Sequence, residues 1–159
     1  MTIRRIEEKD CEAFRRLFEE AYVEYLEFLK HKNPQQYLQE IREKKEVTRP
    51  RFDFYLETGS SFVAEENGKV VGYLASQTVH FMHGVDRLLW IEYIVVQPEF
   101  RRQGIGLALL RELIDYAKRS GVDGIHATIN PDNEASIKLH LKAGFDVENW
   151  KYAEQEFEK

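Results

Sequence analysis

A mixed α/β or α+β single domain is what this chain should form, and three stretches carry that expectation. SSFVAEENGKVVGYLASQTVHF (60–81) holds two strand-like runs about Asn67-Gly68, a strong hairpin signal. LLWIEYIVV (88–96) is an almost unbroken apolar run, as a buried strand should be, and it stops at Pro98. PEFRRQGIGLALLREL (98–113) then opens an amphipathic helix, with Leu110, Leu113, Ile114 and Ala117 at i, i+3, i+4 and i+7. Strands and helices alternate from there on.

The elements follow in order. TIRRI (2–6) reads as a short edge strand. Asp10 can cap a helix whose apolar positions Phe14, Leu17, Phe18, Ala21, Tyr22, Tyr25 and Leu29 keep helical spacing. Asn33-Pro34 offers the next cap and first-turn proline, so a second helix is expected over about 34–46. Residues 48–58 are ambiguous: Pro50 argues for a break, while Phe52, Phe54 and Tyr55 argue for burial. After the hairpin, Gly84 marks another turn before the strand at 88–96. The glycine-bearing helix ends at Ser120-Gly121. DGIHATI (123–129) is a strand, NPDN (130–133) a loop ending in a good cap, and 134–143 a helix closed by Gly144. FDVENW (145–150) and KYAEQEF (151–157) are expected as the last strands.

Composition narrows the function classes. The 159 residues suit one domain with a substantial core, one that buries about 70% of its unfolded surface. Net charge is −5 and no basic block occurs, so a nucleic-acid surface is disfavoured; a mildly acidic surface would tolerate a cationic amine. Cys11 is the single cysteine, which excludes an intrachain disulfide and fits a cytoplasmic setting. The start, MTIRRIEEKD, lacks an apolar signal core, and no stretch of about 18 apolar residues predicts a membrane span.

Gly104 and Gly106 pose the functional question. Each costs about 1 kcal/mol relative to alanine inside a helix, yet they sit where the helix begins, behind Arg101 and Arg102. A helix N-terminus presents unpaired N–H groups and partial positive charge, and glycine lets an anion approach the backbone, so strand, glycine turn and helix together read as a phosphate cradle. A Walker loop is excluded, since GxxxxGK[ST] occurs nowhere. A dinucleotide fingerprint is spoiled by Leu109 at its third glycine position.

The spacing that does match is R-x-x-G-x-G, Arg101, Gly104 and Gly106, directly behind V-x-P, Val96 and Pro98. It resembles the acyl-CoA-binding motif of the GNAT family of N-acetyltransferases. NEASIKLHLKAGF (133–145) is similar to that family's second signature, N-x-x-[AS]-I-x-L-[YH]-x-x-x-G-F. The two cover about 88–145, and the earlier part matches in element order. The resemblance implies one domain over 1–159, with an acceptor-side half (1–87) and an acetyl-CoA-binding core (88–145). It implies a GNAT-like fold: a mixed, mostly antiparallel twisted sheet of six to seven strands flanked by about four helices. The implied activity is acetyl transfer from acetyl-CoA to a primary amine by direct attack in a ternary complex, without metal or covalent enzyme intermediate.

Site residues follow from the same resemblance. The loop of Arg101, Arg102, Gln103, Gly104, Ile105 and Gly106 would wrap the pyrophosphate. The splayed strand at Ile94, Val95 and Val96 would hold the pantetheine arm, and an N–H near Val95 or Val96 would face the developing oxyanion. Glu92, a carboxylate inside an apolar run, is the candidate base; His126 is a second candidate, though a structural histidine is the simpler reading. His140 stands where many members carry a tyrosine near the leaving sulfur, and an imidazole can donate a proton there. Asn133 would contact pantetheine or simply cap its helix. Tyr22, Tyr25, Phe81 and Trp90 would line the acceptor site. His80 and His83 have no metal-ligand company, and Cys11 has no activating base. The acceptor stays open between a small amine and a peptide N-terminus or lysine, a homodimer is left open, and a noncatalytic acyl-CoA-binding module is the alternative of a different class.

Overall fold

A computed structural model describes residues 1–28 and 48–149. Its strands are β1 (Thr2–Arg5), β2 (Phe62–Glu66), β3 (Lys69–Met82), β4 (Val85–Val96) and β5 (Gly124–Ala127). Its helices are α1 (Cys11–Phe28), α2 (Thr48–Thr58), α3 (Ile105–Ser120) and α4 (Glu134–Ala143). The sheet runs β1-β2-β3-β4-β5; neighbours are antiparallel except β4 and β5, which are parallel. No helix among the described residues is long and apolar enough to cross a membrane.

Several expectations change. Five strands stand among the described residues instead of six to seven. Residues 145–149 continue as irregular chain, and 150–159 lie outside the described residues, as does the helix expected over 34–46. The ambiguous stretch 48–58 is helical: Pro50 falls in the first turn of α2, where its missing N–H has no intrahelical partner to lose. Asp10 does not cap α1. It ends a 3-10 turn (Glu8–Asp10), accepts the Glu7 N–H at 2.8 Å, and takes a two-pronged bond from Arg4 at 2.7 and 2.8 Å. Arg4 also reaches Glu65 at 2.7 Å, so one guanidinium ties β1, the turn and β2 together.

The two faces of the sheet bury different chemistry. Against α1 and α2 the core is largely aromatic: Phe14, Phe18, Phe52, Tyr55 and Tyr73, with Tyr93 packed on it. Against α3 it is aliphatic: Leu89, Ile91, Ile105, Leu109, Leu110 and Leu113. Period-2 alternation along β4 assigns each side chain to a face, and one irregularity reverses it. Ala75 pairs with Tyr93 but Ser76 pairs with Ile91, leaving Glu92 as the extra residue of a β-bulge. Before the bulge the odd-numbered Leu89 and Ile91 face the aliphatic side. After it the even-numbered Ile94 and Val96 do, while Tyr93 and Val95 face the aromatic side.

Candidate active site

β5 accompanies β4 only from Leu88 to Ile91. Past the bulge, β4 keeps its β3 partner and loses the other, so among the described residues an open strand edge begins at Glu92. In an antiparallel pair the N–H and C=O of one residue point the same way and alternate along the strand. Gln97 N–H donates to Val71 O at 2.8 Å, so Gln97, Val95 and Tyr93 turn their polar groups toward β3. Ile94 and Val96 turn theirs to the open edge, where Val96 O accepts from Arg101 Nε at 2.8 Å.

The open edge leads straight to the glycine loop. A 3-10 turn (Pro98–Phe100) ends β4, and the chain then bends through two left-handed residues, Arg102 (φ 63) and Gly104 (φ 85). Gly104 is the N-cap of α3, and no side chain caps that end. The first-turn N–H groups of α3 therefore face outward at the dipole's positive end. Gly104 is needed for its φ. Gly106 serves packing: a Cβ there would stand 3.1 Å from Leu139, so its bareness lets α3 lie close on α4. Ile105 is buried and anchors the helix start. Gln103 donates to Glu99 O at 3.1 Å and closes the turn. The two arginines divide. Arg101 also binds Glu24 of α1 at 2.6 Å, whereas Arg102 is exposed and makes no bond to another described residue.

Glu92 accepts a short bond from Gln77 Nε2. It keeps the parity of Trp90, opposite Leu89 and Ile91, and the bulge brings Tyr93 onto that same aromatic face. Burial first, and then the Glu92 charge, push the Tyr55 hydroxyl pKa up. Burial also raises the Tyr93 hydroxyl, opposed by Arg51 and reinforced by Glu92 and Tyr25. Tyr22 stacks on Phe18 with centroids 5.6 Å apart, which places it in the same cluster as Tyr93. Trp90 pairs with Gln77 and His126 two residues before the bulge. Phe81 is not brought here. It is 83% exposed near the tip of the β3–β4 hairpin, five residues beyond Ser76 and on the order of 17 Å along the strand. His126 lies beside His83, with ring centroids 5.6 Å apart, toward that same tip.

His140 is buried on α4, edge-on to Phe145. Its Nδ1 sits 2.8 Å from Ser136 O, so Nδ1 carries the hydrogen and Nε2 presents a lone pair that no group among the described residues meets. Burial lowers its pKa against the smaller opposing effect of that bond. Asn133 caps α4, its Oδ1 accepting the Ser136 N–H at 3.0 Å. Among the described residues no group of His, Cys, Asp and Glu could hold a metal. Sequence patterns do not single out Tyr93, Arg51 or the buried Gln97. Tyr93 hides in an apolar run, and Arg51 lies in the stretch whose secondary structure the sequence leaves ambiguous.

The geometry has relatives. A chain named as an uncharacterized N-acetyltransferase from Methanocaldococcus jannaschii is 27% identical over 157 residues, 94% of this chain and 64% of that one. An L-methionine sulfoximine/L-methionine sulfone acetyltransferase from Salmonella typhimurium is 39% identical over 85 residues, 54% of this chain and 49% of that one. The chain thus spans about half to just under two-thirds of these relatives. Among solved structures, AAC(6')-Iy in complex with the bisubstrate analogue CoA-S-monomethyl-acetylneamine superposes with a TM-score of 0.69 at 20% identity, covering 98% of both chains, a likeness of fold. The profile of the Acetyltransferase (GNAT) family matches residues 11–145; with the open β4 edge running into the glycine loop, this chain belongs to the GNAT acetyltransferase family.

Proposed function

We propose that the protein transfers an acetyl group from acetyl-CoA to a primary amine by direct attack in a ternary complex. The observation that carries this reading is the continuity of three features: Glu92 at the bulge, the open edge at Ile94 and Val96, and the uncapped start of α3. Acetyl-CoA would supply the activated acyl group as a thioester. The new bond is amine nitrogen to carbonyl carbon; the bond broken is carbon to sulfur. The amine loses a proton and the thiolate gains one.

The chain's residues then take these roles. The first-turn N–H groups of α3 and the exposed Arg102 hold the pyrophosphate. Arg101 positions the loop through Val96 O and Glu24. Strand alternation favours the N–H of Val96 over that of Val95 as the group facing the thioester oxygen, whose developing charge it stabilises. Glu92 takes the ammonium proton, directly or through water. His140, neutral and with a buried Nε2 lone pair that meets no described group, suits a contact to the coenzyme better than proton donation. Asn133 is given to its cap and Phe81 is left outside the site. Residues 88–145 are assigned to the coenzyme and 1–87 to the acceptor. The Salmonella relative's name supports a small-molecule acceptor.

Calorimetric titration with acetyl-CoA, with NAD and ATP as controls, tests the coenzyme half. Micromolar binding of acetyl-CoA alone is expected, and its absence overturns the reading. Thiol release across a panel of amines tests the transfer. Coenzyme binding without turnover for any amine favours the noncatalytic module.

A further inference from the structure

We infer that the acceptor carries a carboxylate beside its amine, and that Arg51 of α2 binds it: the substrate class is an α-amino acid or a similarly short amino carboxylate. This rests on the acetyl-transfer reading above and specifies its acceptor.

Arg51 is the observation. Arg49, on the same helix, is doubly satisfied, with Glu8 at 2.5 Å and Asp53 at 2.7 Å. Arg51 pairs with no carboxylate among the described residues. It is nonetheless held in place. Its Nη1 donates to the Tyr93 hydroxyl at 3.3 Å, and its guanidinium lies over the Phe18 ring at 5.3 Å and the Tyr93 ring at 5.9 Å. A half-buried guanidinium held against two aromatic rings has lost rotamer freedom before any ligand arrives, and most of its donors meet no acceptor among the described residues. That is the design of a preorganised anion clamp.

Its position identifies the anion's owner. Tyr93 directly follows Glu92 in the bulge and its hydroxyl accepts from Arg51, so one residue links the carboxylate that receives the ammonium to a guanidinium that meets no anion among the described residues. Both act electrostatically on the Tyr55 and Tyr93 hydroxyls, in opposite senses. A ligand satisfying both ends carries an amine and an anion only a few atoms apart. A peptide N-terminus presents its amine next to a neutral amide, and leaves Arg51 unpaired.

The test uses the full chain and matched acceptors: an L-amino acid panel, the corresponding carboxamides, and the decarboxylated amines, each followed by thiol release. The amino acid should exceed its carboxamide and its amine in kcat/KM by about 10- to 100-fold, chiefly through KM, as a charge-assisted bidentate contact supplies. Arg51→Met should collapse that ratio toward one, and Arg51→Lys should restore part of it. Equal or better turnover of the carboxamides overturns the proposal in favour of a peptide N-terminus. An equal fall for all three acceptors in Arg51→Met overturns it too, since Arg51 would then act only by positioning Tyr93. Acetyl-CoA binding with no turnover of any amino acid also overturns it. Failure to bind acetyl-CoA instead sinks the transfer reading on which it stands.

Discussion

The two faces of the sheet differ in what they can do besides bury surface. The aliphatic face packs Leu109, Leu110 and Leu113 of α3 against Leu89 and Ile91, groups with no polar atom to direct. It fixes where the glycine loop stands. The aromatic face packs Phe14 against Phe52 and Tyr73, at 5.5 and 4.4 Å, and places the hydroxyls of Tyr55 and Tyr93 near a carboxylate and a guanidinium. It brings chemistry to the strand. The bulge at Glu92 joins the two roles on β4, because one extra residue exchanges which parity serves which face.

Breaking that division at the bulge should have the largest effect. Glu92→Gln keeps the shape and the hydrogen-bonding reach of the side chain and removes the proton acceptor. Turnover should fall about 10²- to 10⁴-fold in thiol-release kinetics, while acetyl-CoA affinity by calorimetry stays near that of the unaltered protein. Loss of both together would deny that the faces have separate tasks. Next comes the aliphatic face itself. Leu110 is fully buried, and Leu110→Ala should lower stability by about 2–5 kcal/mol in denaturant unfolding.

A smaller effect is expected at the loop. Gly104→Asp places a negative charge and a side chain at a φ of 85°, at the positive end of α3. Acetyl-CoA affinity should drop at least about tenfold, equivalent to roughly 1.4 kcal/mol; unchanged affinity would remove the cradle assignment. The smallest expected effect concerns pH. His140 is held neutral in the folded state below its ordinary value, so the unfolded chain binds a proton that the folded chain refuses. Stability should therefore decline as pH falls through about 6.5, until the lowered folded value is reached. His140→Phe should show a flatter profile in thermal melts between pH 7.5 and 5.5. An identical slope would show that His140 does not set it.

Much of the α3 side of the site is legible in the amino-acid sequence, because its determinants are local. Gly104 and Gly106 announce a helix start that cannot carry side chains, Val96 and Pro98 mark where the strand stops, and Asn133 and Gly144 bracket α4 by capping rules. The acceptor side is less legible. Phe81 carries the right aromatic type, yet it sits at a hairpin tip, since residue type does not tell how far a strand runs past its neighbours. The two glycines likewise share a motif but not a reason: one is required for its φ and the other for its neighbour Leu139.

Local sequence was enough for β1, α1 and the run of elements from β4 to α4, the hairpin at Asn67-Gly68, the anion-ready start of α3 and the likeness to acetyltransferases. Each depends on residues a few positions apart, where backbone propensity and spacing act directly. Three outcomes belong to the packed chain instead: that Glu92 and Tyr93 share one face, that Arg101 is engaged with Glu24 while Arg102 is free of described partners, and that Arg51 meets Tyr93. They depend on a single extra residue in one strand and on contacts across 42 to 77 positions of sequence. Strand parity changes sign at a bulge, and no local spacing rule records where the bulge will fall.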